Sequence, residues 1–485
     1  MNHRATRLVG FEATALELSR KSGVSHYTAH LLDALSKQDG GWRLALLSSR
    51  PPASPIPANV ELAPGGRIHN RSLWIQFALP RIVSRLQPHV CHFTNSIAPL
   101  FLSCPYAVSV YDMSLYLYPR LQPQRSLWLV RTILPAVTRR AAAVITVSES
   151  SKKDMVGLLE LPADKVHVIH GAAGGEFRLI RDPAELERAR RKYGLDGPFI
   201  LSVSTLEPRK NIARLVAAFS ELRRRGGREQ LVLVGQLGWH YRPLLKQIEE
   251  SGVKDAIRLL GYVPGEDLPA IYNLARVVAF PSLYEGFGLP IVEAMSCGVP
   301  VLTGNTSAMA EVGEGAALLV DPFSENEIEQ GLHRLLTGDS LRDELREAGL
   351  VRAAQFSWIR AAAQTLAVYQ KIVSEQFLMR GGAPGDARKR LAPEEVLSGS
   401  LSESGSVPIS ISIAIATPIP TPTPMIWDVD SIFGAGEYAG FRHSLPAMAI
   451  KCRVEPGSLR GWPAKCLPGS SPPCICDSSW QSRRD

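Results

Sequence analysis

The stretch Val277-Val-Ala-Phe280-Pro-Ser-Leu-Tyr-Glu285-Gly-Phe-Gly288-Leu-Pro290-Ile-Val-Glu293-Ala-Met295 decides how this chain is read. A short apolar, β-rich run breaks into a loop containing Gly and Pro, and the loop opens into a helical pattern. Pro290 suits the first turn of that helix, where its missing N–H leaves nothing unsatisfied. Strand, loop and helix in this order form the repeating unit of a parallel sheet covered by helices.

The same unit recurs on both sides. From Pro198 onward the runs Phe199 to Val203, Leu231 to Val234, Ile257 to Leu260, Val277 to Phe280, Val299 to Thr303 and Ala317 to Val320 are expected strands with helical segments between them. An earlier series spans about Arg7 to Arg178, with Leu44 to Leu47, Val90 to Phe93, Ala107 to Val110 and Val144 to Val147 as strands. Ser148-Glu-Ser-Ser-Lys after the last of these reads as a polar helix cap. The expected fold class is α/β: two doubly wound, Rossmann-like domains facing across a cleft, where the strand C-termini converge. The expected boundaries are an N-terminal domain over 1–185, a C-terminal domain over 186–355, a closing helix over 356–379, and a tail over 380–485. The charged helix Asp182 to Tyr193 forms the junction. The tail carries Thr417-Pro-Ile-Pro-Thr-Pro-Thr-Pro424 and no sustained period, so little order is expected there.

Composition sets outer limits. Apolar residues at 45% and charged residues at 21% of 485 exclude wholesale disorder. The Met1 to Arg20 segment lacks an uninterrupted apolar run of the secretory type, and no window approaches the roughly 18 to 20 apolar residues of a membrane span, so a cytoplasmic protein is expected. Of seven cysteines, Cys452, Cys466, Cys474 and Cys476 crowd the tail. Cys91, Cys104 and Cys297 make no disulfide framework, as in a reducing compartment. A net charge of +8 favours acidic partners: nucleotide phosphates, anionic lipid or nucleic acid. No metal-ligand spacing stands before residue 376, and the tail cysteines are too irregular to argue one. No Lys/Arg and aromatic stripe belongs to a known nucleic-acid motif.

Chemistry concentrates at strand ends. Gly286 and Gly288 let the backbone N–H groups around Phe287 and Leu289 approach a ligand, and the helix that follows adds its positive end, which suits a phosphate. Glu285 from the loop and Glu293 from the first helical turn suit sugar hydroxyls rather than phosphate. An ordinary helix start would also carry such glutamates for dipole reasons, and the loop lacks the third glycine of a dinucleotide fingerprint. At the first strand of the second domain, Leu206-Glu-Pro-Arg209-Lys210-Asn211 sets two adjacent cations where ligands bind. Arg209 offers a fork and Lys210 a point charge for a diphosphate, and a solvated turn is the alternative. In the first domain, Gly23-Val-Ser25-His26-Tyr27 precedes a helix and makes a permissive turn or a plain loop. Asp112 after Val108-Ser-Val-Tyr111 ends a strand as an acceptor-binding carboxylate or a turn cap. The helical segments Arg71 to Leu86 and Gln124 to Arg140 mix aromatics with arginines, as in a core-packed helix with a basic outer face or one resting on anionic membrane.

These motifs, with Gly261-Tyr-Val-Pro264 and Glu293-Ala-Met295, resemble glycosyltransferase family 4, the retaining enzymes of the GT-B fold, over about residues 5 to 376 and most densely from Phe199 to Pro322. The resemblance implies Glu285 at the donor sugar's hydroxyls, Glu293 at the nucleotide ribose, Arg209 and Lys210 on the diphosphate, and Gly23 to Tyr27 as the first-domain glycine loop. It implies a hexosyltransferase of polysaccharide biosynthesis working without a metal or other cofactor. The expected transfer is of a mannosyl group from a nucleoside diphosphate sugar, GDP-mannose first, to a saccharide or lipid-linked acceptor, with peripheral contact to anionic membrane and no nucleic acid. The chain departs from the family pattern at Tyr111, where many relatives have His, and in Gly-Val-Ser-His-Tyr for Gly-Ile/Val-Gly-Arg-Tyr. These departures keep open a non-catalytic, nucleotide-sugar-binding scaffold of the same fold.

Overall fold

The computed structural model describes residues 7–17, 23–38, 41–53, 55–63, 65, 68 and 70–379. The expectations for the tail over 380–485 and its cysteines lie outside the described residues.

Thirteen strands build two parallel sheets among the described residues. The first holds β1 (Arg7–Glu12), β2 (Trp42–Leu47), β3 (Val60–Leu62), β4 (Val90–Phe93), β5 (Tyr106–Ser109), β6 (Ala143–Thr146) and β7 (Val166–Val168). The second holds β8 (Phe199–Val203), β9 (Gln230–Val234), β10 (Ile257–Gly261), β11 (Val277–Phe280), β12 (Val301–Gly304) and β13 (Leu318–Val320). Strand order is β3-β2-β1-β4-β5-β6-β7 in one and β10-β9-β8-β11-β12-β13 in the other. Each sheet therefore runs outward in one direction from its first strand and then in the other. This creates a topological switch between β1 and β4, and another between β8 and β11, and ligands of open α/β sheets bind outside the strand C-termini at such points.

Alternation along the strands supplies the core. Ala143 and Ile145 of β6 enter one apolar cluster while Val144 enters another; Phe199 and Leu201 of β8 face one way and Ile200 the other. Each large side chain so buried contributes roughly 1.5–3 kcal/mol. One cluster is continuous from β1 through β8 and β11 to the last described helix, Trp358–Met379, through Ala361, Ala362, Val368, Tyr369 and Ile372. That helix returns to the first sheet. Tyr369 Oη lies 2.6 Å from His92 Nδ1 and Trp358 Nε1 donates to the Ala173 carbonyl at 3.1 Å. Burial holds the His92 imidazole down to about 3, so it stays neutral between Tyr369 and Ser109.

Some boundaries differ from the sequence expectation. β12 begins at Val301 rather than Val299, because Pro300 has no N–H and serves only as an acceptor, its carbonyl taking the Val278 N–H at 2.9 Å. Edge strands β3 and β7, of three residues each and carrying Glu61 and His167, are too short and too polar to show an apolar run. The segment read as one helix over Arg71 to Leu86 contains a π-helical stretch at Trp74–Ala78. The cap at Ser148 is present: its Oγ accepts from Ser151 N at 3.0 Å ahead of the helix Glu149–Leu159.

Candidate active site

The ends of β8 and β11 are neighbours across the second switch, and a single side chain pins their loops together. Asn211, in the left-handed region at φ +60 and buried, donates from Nδ2 to the Pro281 carbonyl at 2.9 Å and to the Pro322 carbonyl at 2.6 Å. The Arg209 carbonyl accepts from Leu283 N at 2.9 Å. The short turn Pro208–Lys210 is thereby held against the loop that carries Glu285.

Four charges meet there. Glu285 Oε1 takes Lys210 Nζ at 2.6 Å and Oε2 takes Arg209 Nη1 at 3.0 Å; Arg209 Nη2 reaches Glu207 at 2.8 Å, and Nη1 also donates to the Tyr284 carbonyl at 2.8 Å. Burial alone would raise the Glu285 carboxyl, but Arg209 and Lys210 beside it hold it down to about 2. Burial pushes Glu207 up, with Arg209 and Lys210 opposing. Burial works against the Arg209 guanidinium, yet Glu285, Asp112 and Glu207 together keep it above its usual range. The cations, expected to hold a diphosphate, are largely buried and turned onto glutamates, since a desolvated cation needs a counter-charge. Arg209 Nε and Ser204 Oγ remain buried without a protein partner.

Both glycines have a backbone role in the structure. Gly288, at φ +100, caps the helix Leu289–Ser296, with Pro290 in its first turn. Gly286 meets the other domain: a Cβ there would lie 2.1 Å from the Tyr111 carbonyl, and its own carbonyl accepts from Ser151 Oγ at 3.3 Å. Its missing side chain serves close domain contact. Phe287 is buried between His170 and Phe356, ring centroids 5.9 and 5.4 Å away. Glu293 is the fifth residue of its helix, in the second turn rather than the first. It accepts from Tyr272 Oη at 2.8 Å; desolvation raises its carboxyl to about 7, against the lowering effect of that hydrogen bond and with Glu176 adding to the rise.

On the first domain, Asp112 is a turn cap, one of the two readings considered for it, and it also faces the cation cluster. Its Oδ1 caps Ser114 N at 2.9 Å, and its charge acts on Arg209. Gly23 begins the helix Gly23–Ser36, so Gly23 to Tyr27 lie within the helix rather than ahead of it; nothing crowds a Cβ at Gly23. Ser25 and Tyr27 turn inward, donating to the Ala15 carbonyl at 2.8 Å and the Ile169 carbonyl at 3.2 Å. The Tyr111 ring packs edge-on against Tyr27, centroids 5.1 Å apart.

Sequence reasoning missed the residues that join the domains. Tyr284 Oη donates to Asp154 at 2.6 Å and accepts from Met113 N at 3.3 Å. Glu311 accepts from the backbone N–H groups of Glu149 and Ser150, both at 3.1 Å, and pairs with His170 at 3.0 Å. Trp239 Nε1 donates to the Leu121 carbonyl at 2.6 Å. Tyr284 stood inside the motif quoted above; the other partners carry no local signal.

Comparisons with known proteins give the family and the fold. The family described as "Glycosyl transferases group 1" matches residues 185–352, and the family described as "Glycosyltransferase Family 4" matches residues 21–173. The O-antigen chain mannosyltransferase B of Escherichia coli is 37% identical over 263 residues, covering 54% of this chain and 68% of the relative. The serotype-specific mannosyltransferase WbdA of Escherichia coli is 34% identical over 230 residues, 46% of this chain; the chain spans only 28% of that longer protein. Among solved structures, sucrose-phosphate synthase from Thermosynechococcus elongatus superposes with a TM-score of 0.61 at 20% identity, over 76% of this chain and 100% of that one. That likeness establishes the two-domain fold.

Proposed function

The chain belongs to the glycosyltransferases of group 1 and family 4, and from that premise we propose that it transfers a hexosyl group, mannosyl first, from a nucleoside diphosphate sugar to a saccharide or lipid-linked acceptor in glycan assembly, with retention of configuration. The observation that supports this most is the buried Arg209, Lys210 and Glu285 cluster at the switch between β8 and β11, with Arg209 Nε left without a partner.

As the bond from the sugar's C1 to the diphosphate oxygen breaks, negative charge grows on the leaving oxygen. Arg209 and Lys210 still have donors to offer it, and the helix beginning at Leu289 adds its positive end. Glu285, held ionised by the same cations, accepts from a donor hydroxyl. Glu293 takes the ribose. The acceptor hydroxyl attacks C1 from the leaving-group side near Asp112, and its proton passes to the departing phosphate. No protein nucleophile and no metal enter this scheme, and GDP-mannose is the first donor to try. Leu73, Phe77 and Phe101, which stay exposed beside Arg81 and Arg140, form the surface proposed to meet anionic membrane. No helix among the described residues is long and apolar enough to cross a membrane.

The inward packing of Tyr111 favours one other reading, a scaffold that binds the donor without turnover. A thermal-shift panel of GDP, UDP, ADP and their sugars, followed by a transfer assay, separates the two. Stabilisation with transfer supports the enzyme, stabilisation without turnover the scaffold, and no stabilisation by any of them rejects both.

A further inference from the structure

We propose that the first domain carries an anion-binding subsite at Arg71, which recognises a phosphate or carboxylate borne by the acceptor; this rests on the transfer reading above.

The first sheet has its own switch point, between β1 and β4, and the side chains at its mouth form a built arrangement. Glu12, the last residue of β1, is fully buried. Its Oε1 accepts from Thr14 N at 3.0 Å and from the Thr14 hydroxyl, and its Oε2 accepts from Thr94 N at 3.3 Å and Thr94 Oγ1 at 3.2 Å. The carboxylate thus ties the segment after β1 to the segment after β4. Arg71 lies over this knot. Its Nε donates to Thr14 Oγ1 at 2.7 Å, Nη2 stands 4.0 Å from Glu12, and the Asn95 side-chain oxygen, in the amide orientation that satisfies both groups, accepts from Nη2 at 2.9 Å and Nη1 at 3.2 Å.

The guanidinium is therefore held in one orientation from β1 and β4 together, yet its side chain is 37% exposed. A guanidinium has five N–H donors, and the outer ones of Arg71 remain for a ligand. Local backbone cost gathers around it. Ser96 sits at φ +55, and the helical segment that begins at Arg71 turns π-helical at Trp74–Ala78. A plain strut between strand and helix needs neither irregularity nor an exposed charge.

The place also fits the reaction. β4 lies next to β5, which is followed by Tyr111 and Asp112; the Glu12 charge acts on Tyr111, and the Asp112 charge acts on Arg209. Arg71 touches the segments that follow β1 and β4, and Asp112 follows β5, the next strand along the same sheet. An acceptor whose hydroxyl meets the donor sugar near Asp112 would set a neighbouring anionic group at Arg71. A planar fork of donors matches phosphate or carboxylate oxygens better than the mixed donors and acceptors of a neutral sugar.

The test uses the full chain with its donor site filled by whichever nucleoside diphosphate stabilises it, titrated by calorimetry with mannose 1-phosphate, decyl mannosyl phosphate and methyl α-mannoside. The wild type is expected to bind at least one of the two phosphates about tenfold more tightly than the neutral mannoside. Arg71→Ala should bring them within about twofold, and Arg71→Lys should keep part of the preference. Preference for the soluble phosphate supports a free sugar phosphate as source, and preference for the decyl form alone supports a lipid-linked one. A wild type without preference for the anion, an Arg71→Ala variant that keeps the preference, or one that loses nucleoside diphosphate binding as well overturns the proposal. Failure of the transfer reading shows separately, as a wild type that no nucleoside diphosphate stabilises; the anion titration is then read without one.

Discussion

Tyr284 and Asp154 stand 130 residues apart on opposite domains, and the tyrosine hydroxyl donates to the aspartate at 2.6 Å. The Tyr284 carbonyl meanwhile accepts from Arg209. The residue just before Glu285 is thus held from both domains, and the position of the Glu285 carboxylate depends on the domains being closed upon each other.

Replacing Tyr284 with Phe keeps the ring against Tyr118 but removes both hydroxyl contacts. Losing a charge-assisted hydrogen bond costs about 1.5–3 kcal/mol. The expected outcome is a kcat lowered by about tenfold or more, with the thermal shift given by the nucleoside diphosphate nearly unchanged. Equal losses of kcat and nucleotide binding would mean that the tyrosine merely supports the loop.

Glu285→Gln leaves Lys210 buried without its counter-charge and Arg209 with Glu207 as its remaining ion-pair partner, which should destabilise the fold by roughly 3–5 kcal/mol. Transfer should fall by about a hundredfold or more even at temperatures where the variant stays folded. Linkage gives the pH direction. The folded carboxyl is depressed to about 2, so its contribution is present above the ordinary carboxylate pKa and lost as pH falls from about 4.5 towards 2. Urea melts of wild type and variant at pH 7 and pH 3 should converge at the acid end.

Glu293 runs the opposite way. Its folded carboxyl is raised to about 7, so the fold binds its proton more tightly than the unfolded chain does, and stability falls as pH rises from about 4.5 through 7. The full effect is on the order of 3 kcal/mol. Glu293→Gln should therefore stabilise the empty protein at pH 8 and change it little at pH 4.5, while weakening nucleotide binding. A variant no more stable than wild type at pH 8 would count against the raised carboxyl.

Gly286→Ala places a methyl group 2.1 Å from the Tyr111 carbonyl across the domain boundary. Backbone cannot yield by that much, so the domains must part locally. Transfer should drop by about tenfold or more, with thermal stability less affected than by Glu285→Gln, because the strain is relieved by opening rather than by unfolding. Small-angle scattering with and without the nucleoside diphosphate would show a variant that remains more open.

Much of this protein could be read along the chain. The strand at Val277–Phe280, the cap at Ser148 and the helix at Gln124–Arg140 follow from apolar runs, capping chemistry and breakers acting within a few residues, which is the range over which local patterns carry information. The motif containing Glu285 likewise gave a strand, a loop and a helix in the order the structure has them. What the pattern could not supply was partnership. That Arg209 and Lys210 fold onto Glu285, that Gly286 is small for the sake of Tyr111, and that Glu12 and Thr94 knit together beneath Arg71 depend on sheet order and on the closing of two domains. Those contacts join residues separated by 57 to 175 positions, and no local period encodes them. Burial then makes them compulsory, because a charged or polar group removed from water must find its partner wherever the tertiary packing has put one.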